Sequence, residues 1–224
     1  CRLEHKTEKM KTSLVIFDLD GTLLDTLGDL TAAMNRTLTR HGLPERTRQQ
    51  MRAALGNGAR RLMELSVPSG TDSALFETLL AEYNADYAAH CRIETAPYPG
   101  VAALLRTLHT QGRKLAIVSN KPDEAVRALR ADFFADAVQI AVGETAAIRR
   151  KPAPDMLLAA MEQLGADPDK TVFVGDSEVD IATARAANLP CISVLWGFRD
   201  RDVLERAGAQ QFAADIAQLQ ALLG

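Results

Sequence analysis

Short apolar runs separated by segments of helical spacing recur along most of the chain. Five such runs are present, at residues 14–17, 115–118, 138–142, 171–174 and 191–195. Three of them are rich in Val and Ile, which is typical of buried strands. Between the later runs, one helical pattern stops at Gly112, and another begins at Pro154 and ends near Gly165. This alternation predicts an α/β fold in which a parallel sheet carries helices on both faces.

One long stretch interrupts the alternation. Residues 27–91 contain no convincing strand, and their apolar spacing predicts four helices, at 27–42, 47–55, 59–65 and 73–90. This stretch is too long for a single crossover helix. We therefore interpret residues 27–91 as a helical domain inserted into a Rossmann-like core formed by residues 10–26 and 92–224. Because Met10 directly precedes the first apolar region, residues 1–9 are interpreted as an artificial remnant.

The composition limits the binding partners and the cellular compartment that we expect for the protein. A formal net charge of -3 provides no basic excess for binding a nucleic acid. No apolar run approaches the roughly 20 residues that span a bilayer, so no membrane partner is expected. The three cysteines are far apart and form no C-x-x-C pair, which favours a reduced, cytoplasmic protein. The sequence leaves open whether the protein is a monomer or a homodimer.

Three of the expected strands end in polar residues that a purely structural strand does not need. These residues are Asp18, Asp20, Ser119, Asn120, Lys121, Asp176 and Ser177, with Asp180 a little further along the chain. The carboxyl ends of parallel strands lie along one edge of a sheet, where ligands bind. We therefore expect four carboxylates, those of Asp18, Asp20, Asp176 and Asp180, to lie near one point.

Four clustered carboxylates repel one another unless a cation offsets their charge. The cluster offers only oxygen ligands, so the cation should be a hard one, and Mg²⁺ fits, although Mn²⁺ could replace it. Lys151, beyond the third strand, is a compact charge suited to phosphate oxygens, and Ser119 could donate a further hydrogen bond. A metal, a lysine and a hydroxyl together indicate phosphoryl transfer, because the charge on the transferring group must be stabilised.

The spacing of Asp18 and Asp20 allows them to divide the chemistry. Asp18 could attack phosphorus and carry it as an acyl phosphate. Asp20 could protonate the departing oxygen and later deprotonate the attacking water. Both side chains could reach one substrate from a single turn.

The polar stretches, taken together, resemble the four signatures of the haloacid dehalogenase-like superfamily. They are 18–26 (DLDGTLLDT), 119–121 (SNK), 151–152 (KP) and 175–180 (GDSEVD). Within that superfamily, segments 56–59, 98–101 and 194–199 are most similar to the phosphoglycolate phosphatase group. The resemblance implies that the helical insertion is a cap domain and that the substrate is a small-molecule phosphate ester, with 2-phosphoglycolate favoured.

The same resemblance implies specific roles for site residues. Asp18 would be the nucleophile and Asp20 the acid and base. Mg²⁺ would be held by Asp18, the backbone carbonyl of Asp20, and Asp176. Asp180 and Ser177 would support the metal site or Lys151. The residues expected to bind phosphate are Thr22, Ser119, Asn120 and Lys151.

Several alternatives stay open at the level of sequence. The chain could be a phosphosugar phosphatase, a phosphomutase resembling β-phosphoglucomutase, or a non-enzymatic phosphate-binding protein. Gly58, Arg60 and Arg61 could contact the substrate, with both arginines binding its carboxylate or simply facing solvent. Asp180 could instead pair with Arg185. Lys121, beside a proline, is interpreted as a solvated surface charge.

Overall fold

A parallel sheet forms the centre of the protein in the computed structural model, which describes residues 12–224. The strands are β1 (Leu14–Phe17), β2 (Leu24–Asp25), β3 (Ala96–Pro97), β4 (Lys114–Pro122), β5 (Ile140–Glu144), β6 (Thr171–Gly175), β7 (Cys191–Val194) and β8 (Gln211–Ala213). Six of them form the sheet, in the order β5-β4-β1-β6-β7-β8, and every pairing is parallel. The predicted α/β fold is therefore confirmed. The interpretation of residues 1–9 falls outside the described residues.

Strand β1 lies inside the sheet, between β4 and β6, and all four of its side chains are buried. Leu14 and Ile16 pack into one apolar cluster, and Val15 and Phe17 pack into a second cluster on the opposite face. Alternate residues of a strand point to opposite faces, so an uninterrupted apolar run is what a sheet covered on both sides requires.

Helices cover both faces of this sheet. They are α5 (Val101–Thr110), α6 (Asp123–Phe134), α7 (Asp155–Leu164), α8 (Glu178–Ala186), α9 (Arg201–Arg206) and α10 (Ile216–Leu223). Leu157 of α7 packs in the cluster with Leu14, whereas Leu105 of α5 packs in the cluster with Val15. Helices therefore pack on both faces of the sheet. Because the strands are parallel, the strand ends that carry polar residues meet at one edge.

Four helices occupy the stretch for which no strand was expected. They are α1 (Leu27–Arg40), α2 (Arg48–Ala54), α3 (Gly58–Ser66) and α4 (Ser73–His90). The chain enters and leaves this segment through β2 and β3, a short antiparallel pair that the sequence analysis did not predict. No helix within residues 12–224 is both long and apolar enough to cross a membrane.

Candidate active site

The turn after β1 places the first two candidate carboxylates at the edge of the sheet. The backbone N–H of Asp18 donates to Val174 of β6 at 2.9 Å, so the end of β1 stays in register with its neighbour. Gly21 then reverses the chain with a φ of 82°, a left-handed conformation that glycine adopts without strain. A Cβ at this position would lie 2.3 Å from the Asp176 carboxylate, so any larger residue would collide with the site.

Three of the four candidate carboxylates converge as predicted. Oxygens of Asp18, Asp176 and Asp180 lie within 4.8 Å of one another, and all three residues are buried. Burial, followed by the charge of Asp180, raises the pKa of Asp18 well above its ordinary value. The same two causes raise the pKa of Asp176 to about 7. The protein offsets only part of the negative charge of three carboxylates packed this closely. A bound cation would offset the rest and reduce their mutual repulsion.

Lys151 supplies the one positive charge in direct contact with this cluster among the described residues. Its Nζ lies 2.8 Å from Asp18 Oδ1 and 2.7 Å from Asp180 Oδ1. Burial alone would lower the pKa of Lys151, but the two carboxylates outweigh burial and raise it, so the side chain stays charged. A buried ammonium fixed by two anions is a rigid point charge at the edge of the sheet.

Asn120 positions Lys151 through its main chain. The backbone N–H of Lys151 donates to Asn120 Oδ1 at 2.8 Å, and Asn120 Nδ2 donates to the carbonyls of Lys151 and Gly56 at 3.0 and 3.1 Å. The amide of Asn120 therefore holds protein groups, whereas the sequence analysis expected it to bind phosphate. Ser119, which precedes it, is buried and lines the same cavity as Asp18.

Asp176 and Asp180 are held by different sets of donors. Asp176 accepts from the Thr22 hydroxyl at 3.2 Å and from the Phe198 N–H at 2.7 Å. Thr22 is thus a partner of Asp176, whereas it was expected among the phosphate-binding residues. Asp180 accepts on one oxygen from Lys151 and on the other from the Ser177 hydroxyl at 2.6 Å.

The contacts of Asp180 agree with one of the roles considered for it. Both of its oxygens are engaged by Lys151 and Ser177, as expected of a residue that supports the lysine. The alternative pairing with Arg185 is wrong, because the Arg185 guanidinium donates to the Ala207 carbonyl.

Asp20 lies beside the cluster and faces a different set of partners. Its Oδ1 accepts from the Thr26 hydroxyl at 2.6 Å. Its Oδ2 lies 3.2 Å from Lys121 Nζ. The carboxylate is partly exposed to the cavity, with 19% of the side chain accessible. This is the location that a group exchanging protons with substrate and water requires.

Lys121 is buried, and its interpretation as a solvated surface charge is wrong. Only 7% of the residue is exposed, because β4 continues to Pro122 and carries the lysine inward. Its Nζ contacts Asp20 and donates to the Tyr87 hydroxyl of α4 at 2.8 Å. The signal available in the sequence was position: Lys121 directly follows the two polar residues that end the apolar part of the strand.

A cavity of about 420 Å³ lies between this edge of the sheet and the helical segment. The edge contributes the charged residues described above, and the helical segment contributes mainly apolar residues. The residues from the helical segment include Leu30, Leu55, Ala59, Leu62, Tyr83 and Tyr87, together with Gly58. A concave site with apolar walls and a few converging polar groups is typical of small-molecule binding.

Arg60 and Arg61 lie outside this cavity, unlike Gly58. Arg60 pairs with Glu77 at 2.8 Å, and Arg61 pairs with Glu64 at 2.9 Å. About half of each arginine side chain is exposed. Their position agrees with the alternative in which both face solvent, and it gives no support to a contact with the substrate.

Comparison with known proteins assigns the family. Residues 15–194 match the model of the family described as haloacid dehalogenase-like hydrolase. The chain belongs to this family.

Curated relatives and solved structures of haloacid dehalogenase-like hydrolases extend the comparison over nearly the whole chain. A phosphoglycolate phosphatase from Rhodospirillum rubrum is 35% identical over 94% of this chain and 90% of its own length. An N-acetylmuramic acid 6-phosphate phosphatase from Pseudomonas aeruginosa is 33% identical, covering 85% of each protein. The crystal structure of a candidate phosphoglycolate phosphatase from Lactobacillus delbrueckii subsp. bulgaricus has a TM-score of 0.91 and 36% identity, over 96% of this chain and 99% of that one.

These findings confirm the predicted family and the prediction of an enzyme. They also confirm the predicted likeness to the phosphoglycolate phosphatase group. As in the prediction, the acidic cluster of this haloacid dehalogenase-like hydrolase offers oxygen ligands and, among the described residues, no cysteine or histidine. Such a donor set fits a hard divalent cation.

Arg199 is a further residue of this hydrolase that the sequence analysis did not assign. It is 8% exposed and lines the cavity. Its guanidinium pairs with Glu178 at 2.7 Å and donates to the carbonyls of Arg52 and Leu55 at 2.9 and 2.6 Å. Arg199 therefore connects the core to the end of α2, beside the cavity. Its segment resembled the family, but no pattern in the sequence indicated these contacts.

Proposed function

We propose that this chain, a phosphoric monoester hydrolase, is a magnesium-dependent phosphatase that acts on a small organic phosphate through an aspartyl phosphate at Asp18. The observation that carries the proposal is the placement of Lys151 between Asp18 and Asp180, beside Asp176. A cation and a fixed ammonium on two sides of one carboxylate form a pocket for a dianionic phosphoryl group.

The first half of the reaction transfers the phosphoryl group to the enzyme. The described hydrogen bonds to the Asp18 carboxylate, from Leu19 N–H and Lys151, both go to Oδ1, which leaves Oδ2 to attack phosphorus. A bond forms between Oδ2 and phosphorus, and the bond from phosphorus to the ester oxygen breaks. Asp20 donates its proton to that oxygen, and the alcohol leaves.

The second half releases phosphate. Asp20, now a carboxylate, removes a proton from a water molecule that attacks phosphorus. The bond between phosphorus and Asp18 breaks, inorganic phosphate leaves, and both aspartates return to their starting states. Bound Mg²⁺, held by Asp18, the Asp20 carbonyl and Asp176, would offset the charge that builds up on the phosphoryl oxygens.

The favoured substrate is 2-phosphoglycolate. Its support comes from the relatives at about one-third identity that carry that activity in their names. A phosphosugar is the second candidate, because one relative acts on N-acetylmuramic acid 6-phosphate and the cavity of about 420 Å³ has room for more than a two-carbon acid. A cytoplasmic location and a monomeric or homodimeric state remain predictions from the sequence.

Replacing the nucleophile tests the proposal. Asp18→Asn keeps the shape of the side chain and removes its charge, so phosphate release should fall by roughly 10³-fold or more. Asp25→Asn, on an exposed aspartate of the same segment, is the matched control and should retain activity. Chelation of divalent ions should stop the wild-type enzyme, and added Mg²⁺ should restore it.

Three outcomes would contradict the proposal. Substantial activity in a folded Asp18→Asn protein would exclude an aspartyl phosphate at this position. Activity that survives chelation would exclude the metal. Formation of an isomeric sugar phosphate without free phosphate would indicate a mutase.

A further inference from the structure

We propose that Lys121 binds the carboxylate of the leaving group and thereby selects an acidic substrate. This inference rests on the proposed phosphatase function and goes beyond it, because it assigns substrate recognition to one residue. Lys121 takes the role of carboxylate binding that the sequence suggested for Arg60 and Arg61, whose side chains lie outside the cavity.

The first support is the distance between Lys121 and Asp20. The oxygen that leaves phosphorus must come within hydrogen-bond distance of Asp20 to receive its proton. Lys121 Nζ lies 3.2 Å from Asp20 Oδ2, so atoms attached to the leaving oxygen pass next to the ammonium. In 2-phosphoglycolate a single CH₂ group separates that oxygen from the carboxylate, so the carboxylate falls within reach of Lys121.

The second support is the engagement of the other cations. Among the described residues, four basic side chains line the cavity, those of Arg92, Lys121, Lys151 and Arg199. Lys151 is held by Asp18 and Asp180. Arg199 is occupied by Glu178 and two backbone carbonyls. Arg92 is half exposed and paired with Asp132.

The third support is the hydrogen-bonding capacity of Lys121 itself. An ammonium has three donors, and two of them have partners, Asp20 Oδ2 and the Tyr87 hydroxyl. One donor therefore remains for the substrate. The Tyr87 ring also lies 4.2 Å from Nζ, so helix α4 fixes the ammonium in place. Within apolar walls, a fixed charge of this kind discriminates strongly between an anionic group and a neutral one.

A pair of substrates that differ only in the carboxylate tests the assignment. We would measure kcat/KM for 2-phosphoglycolate and for ethyl phosphate with wild type, Lys121→Met and Lys121→Arg. Lys121→Met should lower the ratio of the two kcat/KM values by on the order of 10- to 10³-fold, as expected when one partner of a buried charge pair is removed. Lys121→Arg keeps the charge and should preserve part of the preference.

The ratio is taken within one preparation, so incomplete folding of a variant cancels from it. Lys114→Met, on the exposed end of the same strand, is the matched control and should leave the ratio unchanged. Equal losses on both substrates in Lys121→Met would show that the lysine only supports Asp20, and unchanged kcat/KM values for both substrates would show no role, so either result overturns the inference alone. If the wild-type protein hydrolysed neither substrate nor any other phosphate ester, the proposed function would fall with it.

Discussion

At the scale of single residues, the site is an arrangement of charges in which the carboxylates differ in their sets of partners. Asp18 and Asp180 share Lys151, and Asp176 is held by Thr22 and the Phe198 backbone. Asp20 is separate and contacts Thr26 and Lys121. The partners therefore suggest different functions for side chains of the same type.

A pair of matched substitutions separates the metal ligand from the lysine anchor. Asp176→Asn removes the negative charge of a proposed ligand, so the Mg²⁺ concentration for half-maximal activity should rise by roughly 10- to 100-fold. Asp180→Asn leaves Lys151 with one anion. Loss of a supporting residue of this kind typically lowers activity by a similar factor. The Mg²⁺ requirement of this variant should nevertheless change little. Titration of activity with Mg²⁺ measures both. A larger rise for Asp180→Asn than for Asp176→Asn would reverse the two roles.

The acidic cluster and Lys151 could be predicted from the sequence, since parallel strands must end at one edge. The contacts of Lys121 and Arg199 could not. Whether a lysine after a strand points inward depends on how far the strand continues and on what packs over it. For Lys121 the deciding neighbour is Tyr87, which lies 34 residues away in sequence. No local pattern carries that information.

At the scale of secondary-structure elements, the junction between the helical segment and the core is held by Asp29 of α1. Its carboxylate is buried and accepts from the backbone N–H groups of Ile93, Glu94 and Thr95 at 2.9 to 3.1 Å. Just beyond, β2 pairs with β3. The chain entering the helical segment is thus fastened to the chain leaving it.

Asp29→Asn should destabilise the protein by about 1–3 kcal/mol, because an amide presents a donor to backbone donors that would stay buried and unpaired. Urea unfolding of the variant and the wild type measures the change. Asp136→Asn, at an exposed aspartate that pairs weakly with Arg106 at 3.5 Å, is the control and should cost less than about 1 kcal/mol. Equal costs for the two variants would contradict the role of Asp29.

The same contact predicts a dependence on pH. Burial alone would raise the pKa of Asp29, but the N–H groups of residues 93–95 outweigh burial and lower it. A depressed pKa in the folded state contributes stability above the unfolded value, about 3.9 for Asp. That contribution is lost as pH falls through the folded pKa. The advantage of wild type over Asp29→Asn should therefore be constant near neutrality and shrink below about pH 4.

At the scale of the whole molecule, the proposed catalytic groups lie at the edge of the sheet, and the opposite wall of the cavity comes from α1, α3, α4 and the turn between α2 and α3. We propose that residues 27–91 are a cap domain and that they open to exchange substrate and product. Its contacts with the core include Arg199 with the end of α2, and Tyr87 with Lys121. Closure would therefore complete the cavity wall and bring Tyr87 into contact with Lys121.

The order of layers in the whole molecule could largely be predicted from the sequence, because the central strands are apolar without interruption and the helices have regular spacing. The edge strand β8 and the pair of β2 with β3 were not predicted. Each has only two or three residues, too few to establish a period. Their pairing depends on neighbours brought together by the fold, and so does the shape of the cavity.

The central claim is that Asp18 carries the phosphoryl group. The most direct measurement is mass spectrometry of the peptide containing Asp18 after acid quench of the enzyme with Mg²⁺ and substrate. Asp20→Asn should be used with an aryl phosphate, whose leaving group needs no proton, because the variant then slows only the attack of water and lets the intermediate accumulate. The account predicts one added phosphoryl group on Asp18, absent when Mg²⁺ is chelated. Phosphate release by the wild type, with a phosphoryl group on another residue or on none, would contradict it.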